Sequence, residues 1–129
     1  MAELRYRIRL FLRESDNAAR SNGLEPQQYL LMLAVRGMSN SSGAKIQFLA
    51  DSLLIKHHSA VELVDRLEKR GLVRRDRGHE DRREVLVSLL PKGHRVLERV
   101  VQQRIGELRA GGRQLIRAID AVLREKPKH

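Results

Sequence analysis

Apolar positions recur at helical spacing along most of this chain. Leu4, Ile8, Phe11, Leu12, Ser15 and Ala19 share one face over residues 3–20 and predict an amphipathic helix. Ser21-Asn22-Gly23 ends it. Pro26 opens a second helix, because the first helical position needs no N–H, and Leu24 and Tyr29 can staple that start. Tyr29, Leu30, Leu33 and Ala34 supply its buried stripe. Gly37 to Gly43, with Ser39-Asn40-Ser41-Ser42, reads as a loop. Lys45-Ile46 reads as a very short strand and Phe48 to Leu54 as a short third helix.

The fourth helix has the clearest pattern. Ala60, Leu63, Val64 and Leu67 follow i, i+3, i+4, i+7. Gly71 suits the left-handed residue after a helix, with Leu72 folding back on the last turn. Leu72 to Asp76 then reads as a strand and residues 77–82 as a charged turn. Val85, Val87 and Leu89 alternate with Glu84, Leu86 and Ser88 as a second strand. Pro91 opens a helix through Leu97, Val101, Ile105 and Leu108. Gly111-Gly112 is expected to break it, leaving a last short helix on Leu115, Ile116, Ile119, Val122 and Leu123. The expected fold class is mainly α with a small β-hairpin (α+β), in one domain over residues 1–129.

Composition narrows the partners. The 129 residues carry 26 Lys+Arg against 16 Asp+Glu, a net charge of +10, which favours a polyanion. There is no cysteine, so thiol chemistry, disulfides and zinc-thiolate sites are excluded. No apolar run approaches the roughly 20 residues of a membrane span, and no signal-peptide core follows the start, so a soluble, cytoplasmic protein without membrane attachment is expected. Aromatic residues are 3% of the chain, few for a base-stacking single-strand binder.

Two short helices followed by a hairpin is the layout of a winged helix-turn-helix, in which the second helix enters the major groove and the hairpin reaches along the backbone. Lys56, His57, His58, Ser59, Glu62 and Arg66 are the expected contacts on the recognition helix, weighted to its first turn and a half. There Glu62 can accept from cytosine N4 and Ser59 can read several base edges. Asp65 and Glu68 are expected to pair with Arg66, Lys69 or Arg70. The wing contributes Arg74, Arg75, Arg77, Arg82 and Arg83, with Asp81 holding Arg83 or a turn N–H in a fixed pose.

These residues also resemble a family. Gly23-Leu24-Glu25-Pro26-Gln27-Gln28-Tyr29-Leu30-Leu31-Met32-Leu33 is similar to the start of the second helix in MarR-type regulators. Leu63 to Val73 is similar to their recognition helix and its end. Asp81-Arg82-Arg83, Val85 to Leu89 and Lys92-Gly93 resemble their D-x-R wing and the start of their long last helix. The resemblance implies a dimeric DNA-binding repressor or activator, with a winged core at about residues 24–90. Helices at about 3–20 and 91–125 would interlock with a partner copy. It also implies a small, often aromatic or anionic, effector between the dimer helices and the DNA-binding lobe. Three departures from the family pattern stand out: Glu25 in place of Ser or Thr implies a weaker N-cap, acidic Glu62 means that base preference does not carry over, and Leu90-Pro91 implies a shifted start of the fifth helix.

A homodimer also follows from apolar stripes on the terminal helices longer than a small winged domain can cover. It should select a pseudo-palindromic duplex operator. The expected effector pocket lies where the first, second and fifth helices meet, with Phe11, Tyr29 and Leu33 lining it and Arg9, Arg13 or Arg95 available to an anion. No cofactor and no metal are expected: adjacent His57 and His58 diverge by about 100° on a helix, and no His-x-x-x-His exists. His79-Glu80-Asp81 sits on one exposed turn without a pocket, so an enzyme is not expected. The alternative reading is a winged-helix module binding RNA or a protein partner in a stress- or ribosome-linked complex.

Overall fold

The computed structural model describes residues 1–38, 42–78 and 80–128. Five helices and a three-stranded sheet follow one another: α1 (Ala2–Ser21), α2 (Pro26–Gly37), β1 (Ala44–Lys45), α3 (Ile46–Leu53), α4 (His57–Lys69), β2 (Val73–Arg77), β3 (Val85–Leu89) and α5 (Pro91–Leu123). The sheet is antiparallel in the order β1-β3-β2, with Arg75 opposite Val87 and Ala44 opposite Val87 on the other side. The short strand and third helix both lie slightly earlier than their apolar pattern suggested. Of the expected Gly37 to Gly43 loop, residues 39–41 lie outside the described residues; Gly37 itself closes α2.

Helix ends are set by local chemistry. Gly23 and Gly71 both have positive φ, and each helix before them closes with paired bonds: Leu24 N–H to Ala19 O and Gly23 N–H to Arg20 O, then Leu72 N–H to Leu67 O and Gly71 N–H to Glu68 O. At the start of α2, Gln28 Oε1 accepts from Glu25 N–H at 3.0 Å and from Arg70 Nη1 at 3.0 Å, tying the end of α4 to α2. Leu72 also fixes the start of α5. Its carbonyl accepts Leu90 N–H at 2.9 Å, and Gly93 lies so close that a Cβ there would overlap this oxygen.

The core joins Leu24, Leu31, Met32, Leu49, Val64, Leu67, Leu72, Val73, Val87, Leu97 and Val100, all fully buried. Two expectations are corrected. The buried face of α2 is Gln28, Tyr29, Leu31, Met32 and Val35, while Leu30 and Leu33 face outward. The run Leu30 to Val35 is apolar throughout, so spacing alone fits either face. The choice is made by packing against α1, α3, α4, α5 and β3. Gly111-Gly112 does not break the last helix, which is continuous for 33 residues. Two glycines cost about 1 kcal/mol each against alanine, and the packing of α1 along α5 outweighs that.

Candidate nucleic-acid interface

The first turn of α4 stands opposite its buried face of Ala60, Val64 and Leu67. Lys56, His57, His58, Glu62 and Arg66 are exposed and Ser59 is half-buried, so the outward surface is built from the expected residues. The corner before it is sharp: Leu54 adopts a left-handed conformation with its side chain almost fully exposed, and Ile55 N–H bonds back to Ala50 O. His57 Nδ1 lies 3.1 Å from Gln47 Oε1 on α3, and Gln47 Nε2 donates to Asp51 Oδ1 at 2.9 Å. Lys45, Gln47 and Asp51 were not singled out in the sequence. Gln47 and Asp51 reach this surface because α3 packs beside α4, and Lys45 reaches it from β1, the strand that leads into α3.

The wing divides its arginines into three uses. Asp81 accepts from Arg83 three times, from its backbone N–H at 3.0 Å, Nε at 3.1 Å and Nη2 at 3.2 Å. These side-chain and backbone bonds hold the Asp81 carboxyl below the usual carboxylate range. The Arg83 side chain nevertheless remains 92% exposed, clamped at one edge and open at the other. Arg74 pairs with Asp76 at 2.9 Å, and Arg77 donates to Arg82 O at 3.1 Å, both near the hairpin's exposed edge. Arg82 is exposed.

Arg75 is different. Its guanidinium lies 2.6 Å from Asp65 and 2.8 Å from Glu68, and its backbone N–H also donates to Glu68 at 3.2 Å. Bonding to Glu68 and the charge of both carboxylates hold it firmly protonated. So Asp65 and Glu68 pair with Arg75 and not with Arg66, Lys69 or Arg70. Among the described residues no ion pair joins either acid to those cations: Arg66, Lys69 and Arg70 lie one or two positions from Glu68, too close in sequence to face it on a helix, and β2 runs back along α4 and delivers Arg75 to both acids, to Asp65 ahead of its i+4 neighbour Lys69. Arg75 is thus a strut between wing and recognition helix, with its donors turned inward.

Recognition helix and wing meet in one cleft of about 240 Å³ lined by Lys45, Ile46, Gln47, His57, Arg83, Glu84 and Val85. Lys45 Nζ lies 3.0 Å from Glu84 Oε1, and that bond raises its affinity for its proton. No group of three or more potential metal ligands occurs among the described residues; His79 lies outside them. Within the described residues no helix is long and apolar enough to cross a membrane.

The residues expected around an effector are only partly brought together. Phe11 and Tyr29 both neighbour Arg104 of α5, a cation the sequence reading missed. Arg104 is nearly fully buried, stacks 4.6 Å from the Phe11 ring, donates to Phe11 O at 3.3 Å and pairs with Glu107 at 3.1 Å. Its signal was an arginine interrupting the apolar stripe between Val100 and Leu108. Burial raises the Tyr29 hydroxyl above its usual range, offset in part by Arg104 and Arg36. Arg13 instead lines an open groove along α1 with Ala2, Arg5, Tyr6, Arg9 and Leu10. Leu33 and Arg95 are exposed and line neither that groove nor the cavity between α1 and α5.

Comparison with known proteins bears on this geometry. The sequence profile of the MarR family matches residues 25–85, from the N-cap of α2 into β3. Over 61 residues the chain is 34% identical to the uncharacterized HTH-type transcriptional regulator YsmB of Bacillus subtilis (strain 168), a match over 47% of this chain and 42% of that protein. YfiV of the same organism, also an uncharacterized HTH-type transcriptional regulator, is 34% identical over 71 residues, again 42% of its length. The chain therefore aligns with less than half the length of either relative. Among solved structures, CouR from Rhodococcus jostii RHA1 bound to p-coumaroyl-CoA superposes with a TM-score of 0.73 at 19% identity, over 98% of this chain and 92% of that one. The transcriptional repressor CouR bound to a 23-mer DNA duplex gives a TM-score of 0.71 at 25% identity, over 92% of this chain and 84% of that one. The winged helix-turn-helix, the D-x-R turn and the matched profile agree: over residues 25–85 the chain is similar to the MarR family.

Proposed function

We propose that the protein is a homodimeric, sequence-specific regulator of transcription that binds duplex DNA, acts as a repressor, and is released by a small effector. The observation that carries the reading is the shared cleft: the first turn of α4 and the Asp81-clamped Arg83 of the wing border one surface. A groove-reading helix and a backbone-reaching wing need that adjacency. The likeness to CouR on a 23-mer duplex supports DNA over an RNA or protein partner.

The terminal helices support two-fold assembly. Leu12 is 53% exposed on α1, and Ile116, Ile119 and Leu123 are 66%, 42% and 77% exposed on α5. Such a face is covered in the proposed dimer by its copy. The two recognition helices then read half-sites about one helical turn apart in a pseudo-palindrome. The effector reading rests on Phe11 and Tyr29 beside the buried Arg104 cation, with Arg13, Leu33 and Arg95 as further candidates. CouR's complex with p-coumaroyl-CoA supports an aromatic, anionic ligand class.

The test is fluorescence anisotropy with duplexes from the region upstream of the protein's own gene, across a salt series. Arg83→Ala should weaken all duplexes alike and reduce the salt slope by about 0.9 per protomer, the loss of one phosphate contact. His58→Ala or Ser59→Ala should change base preference. Equal affinity for duplex RNA, or no salt slope, contradicts the reading. Small aromatic acids should release the duplex, and Tyr29→Ala with Arg13→Ala should abolish that release.

A further inference from the structure

We propose that the cleft between β1, the start of α4 and the wing seats one DNA backbone phosphate, and that seating it takes up a proton on His57. The inference rests on the DNA-binding reading above and adds to it a defined site and a chemical linkage.

The hydrogen-bond chain fixes the imidazole. An ionised Asp51 carboxylate only accepts, so it takes the Gln47 amide N–H, with Nε2 to Oδ1 at 2.9 Å. That turns the Gln47 carbonyl oxygen toward His57, 3.1 Å from Nδ1. A carbonyl also only accepts, so Nδ1 must carry a proton. In the neutral ring the remaining nitrogen, Nε2, then bears a lone pair and repels a phosphate oxygen. Only the imidazolium donates from both nitrogens. Among the described residues Nε2 has no hydrogen-bond partner.

The charges around the cleft make that proton decisive. From β1, Lys45 is paired with Glu84 of the wing's returning limb. From the turn, Arg83 is paired with Asp81. From α3, Asp51 is reached through Gln47, and Lys56, the N-cap of α4, and His58 flank His57 along the chain, both exposed. The two wing and strand pairs are each neutral in sum, so protonation of His57 adds one positive charge to the cleft that neither pair supplies. Arg83 spends Nε and Nη2 on Asp81 and keeps Nη1 without a partner among the described residues, so it can still donate to an anion held beside His57. The volume of about 240 Å³ is several times the ~30 Å³ share of a liquid water, enough for a phosphate oxygen pair with bridging water.

Linkage sets the sign. A site that binds a proton only with DNA present gains DNA affinity as pH falls, by up to about tenfold per pH unit for each protomer. Anisotropy is measured at constant ionic strength from about pH 5.5 to about 8, where imidazoles titrate, with an upstream duplex and a scrambled duplex of equal length. The wild type should lose affinity for both as pH rises, since a phosphate contact is not sequence-specific. His57→Gln should flatten the slope; His57→Lys should flatten it while binding stays tight at high pH; His94→Gln should leave it in place. In NMR spectra the His57 ring should stay protonated to higher pH with DNA bound. A wild-type slope retained in His57→Gln, or an unshifted His57 titration, overturns the proposal while DNA binding itself stands. If His57→Gln binds no duplex, pH-independent binding by His57→Lys supports the proposal and its failure to bind overturns it. No duplex binding by the wild type at any pH overturns the regulator reading itself.

Discussion

The lobe from Leu24 to Leu89 and the arm formed by α1 and α5 are made of similar amphipathic helices, yet they close differently. In the lobe, Leu31, Met32, Leu49, Val64, Leu67, Leu72, Val73 and Val87 are fully buried within a single chain. In the arm, the end of α5 nearest the lobe buries Leu97 and Val100, but farther out Ile116, Ile119 and Leu123 stay open, as does Leu12 on α1. The same periodicity thus has two outcomes. Where strands and helices return to cover a stripe, spacing alone identifies the core. Where nothing among the described residues returns, an equally good stripe is left open to solvent.

The largest effects should separate these outcomes. A charge at Ile119 has no counterion in a covered apolar face, and such unpaired buried charges cost about 3–5 kcal/mol. Ile119→Asp should therefore weaken the dimer by at least a hundredfold, about 1.4 kcal/mol per decade, and shift the light-scattering mass from twice 14.8 kDa toward 14.8 kDa. A wild type that already scatters as a single chain at micromolar concentration removes the contrast between arm and lobe. Leu67→Ala acts on the closed side. Fully buried, it should lose about 2–5 kcal/mol to transfer and cavity terms. Its urea midpoint should fall while the native particle keeps its dimeric mass. Dissociation without lost stability would mean that the lobe core is shared between protomers.

Legibility in the sequence follows the same division. The caps at Gly23 and Gly71, the inward face of α4, the hairpin and the Asp81–Arg83 clamp all depend on residues close in the chain, and their patterns named them. The buried side of α2 was misread because Leu30 to Val35 is apolar all round and only five packing neighbours choose its face. Arg75 looked like its wing neighbours; its inward turn toward Asp65 and Glu68 is a strand-to-helix contact that no local spacing encodes. Gln47, Asp51 and Arg104 became visible for the same reason, through contacts between elements. Gly111-Gly112 misled because a local penalty of about 1 kcal/mol per glycine was weighed without the packing of a whole helix.

The junction between the two regions offers a sharper probe. Gly93 sits in the first turn of α5 with its backbone against the Leu72 carbonyl, which also accepts Leu90 N–H. A methyl group at 93 overlaps backbone, which yields less easily than a side chain. Gly93→Ala should cost about 1–3 kcal/mol as an overpacking change, despite alanine's higher helix propensity, and should tilt the arm against the lobe. Thermal unfolding checks the first part, and a change in preferred operator half-site spacing checks the second. An unchanged or raised Tm would mean that arm and lobe are joined loosely enough to absorb the methyl.

Gly111→Ala is the smallest change and the most informative about what covers the arm. In one chain, nothing lies within 4 Å of a Cβ built at 111. Helix propensity alone then predicts stabilisation by up to about 1 kcal/mol, seen as a raised Tm at constant protein concentration. The cavity beside it, lined by Leu10, Phe11, Leu108, Gly112 and Leu115, lies between α1 and α5, next to the open apolar face. If a second copy brings a helix into that space, the added methyl meets the partner and the sign reverses. Dilution decides between them: a partner clash should make the penalty grow at concentrations that favour the dimer, whereas a purely local gain stays constant as the protein is diluted. A concentration-independent gain would place the dimer contact away from Gly111, on the face that Gly112 shares with Ile116, Ile119 and Leu123.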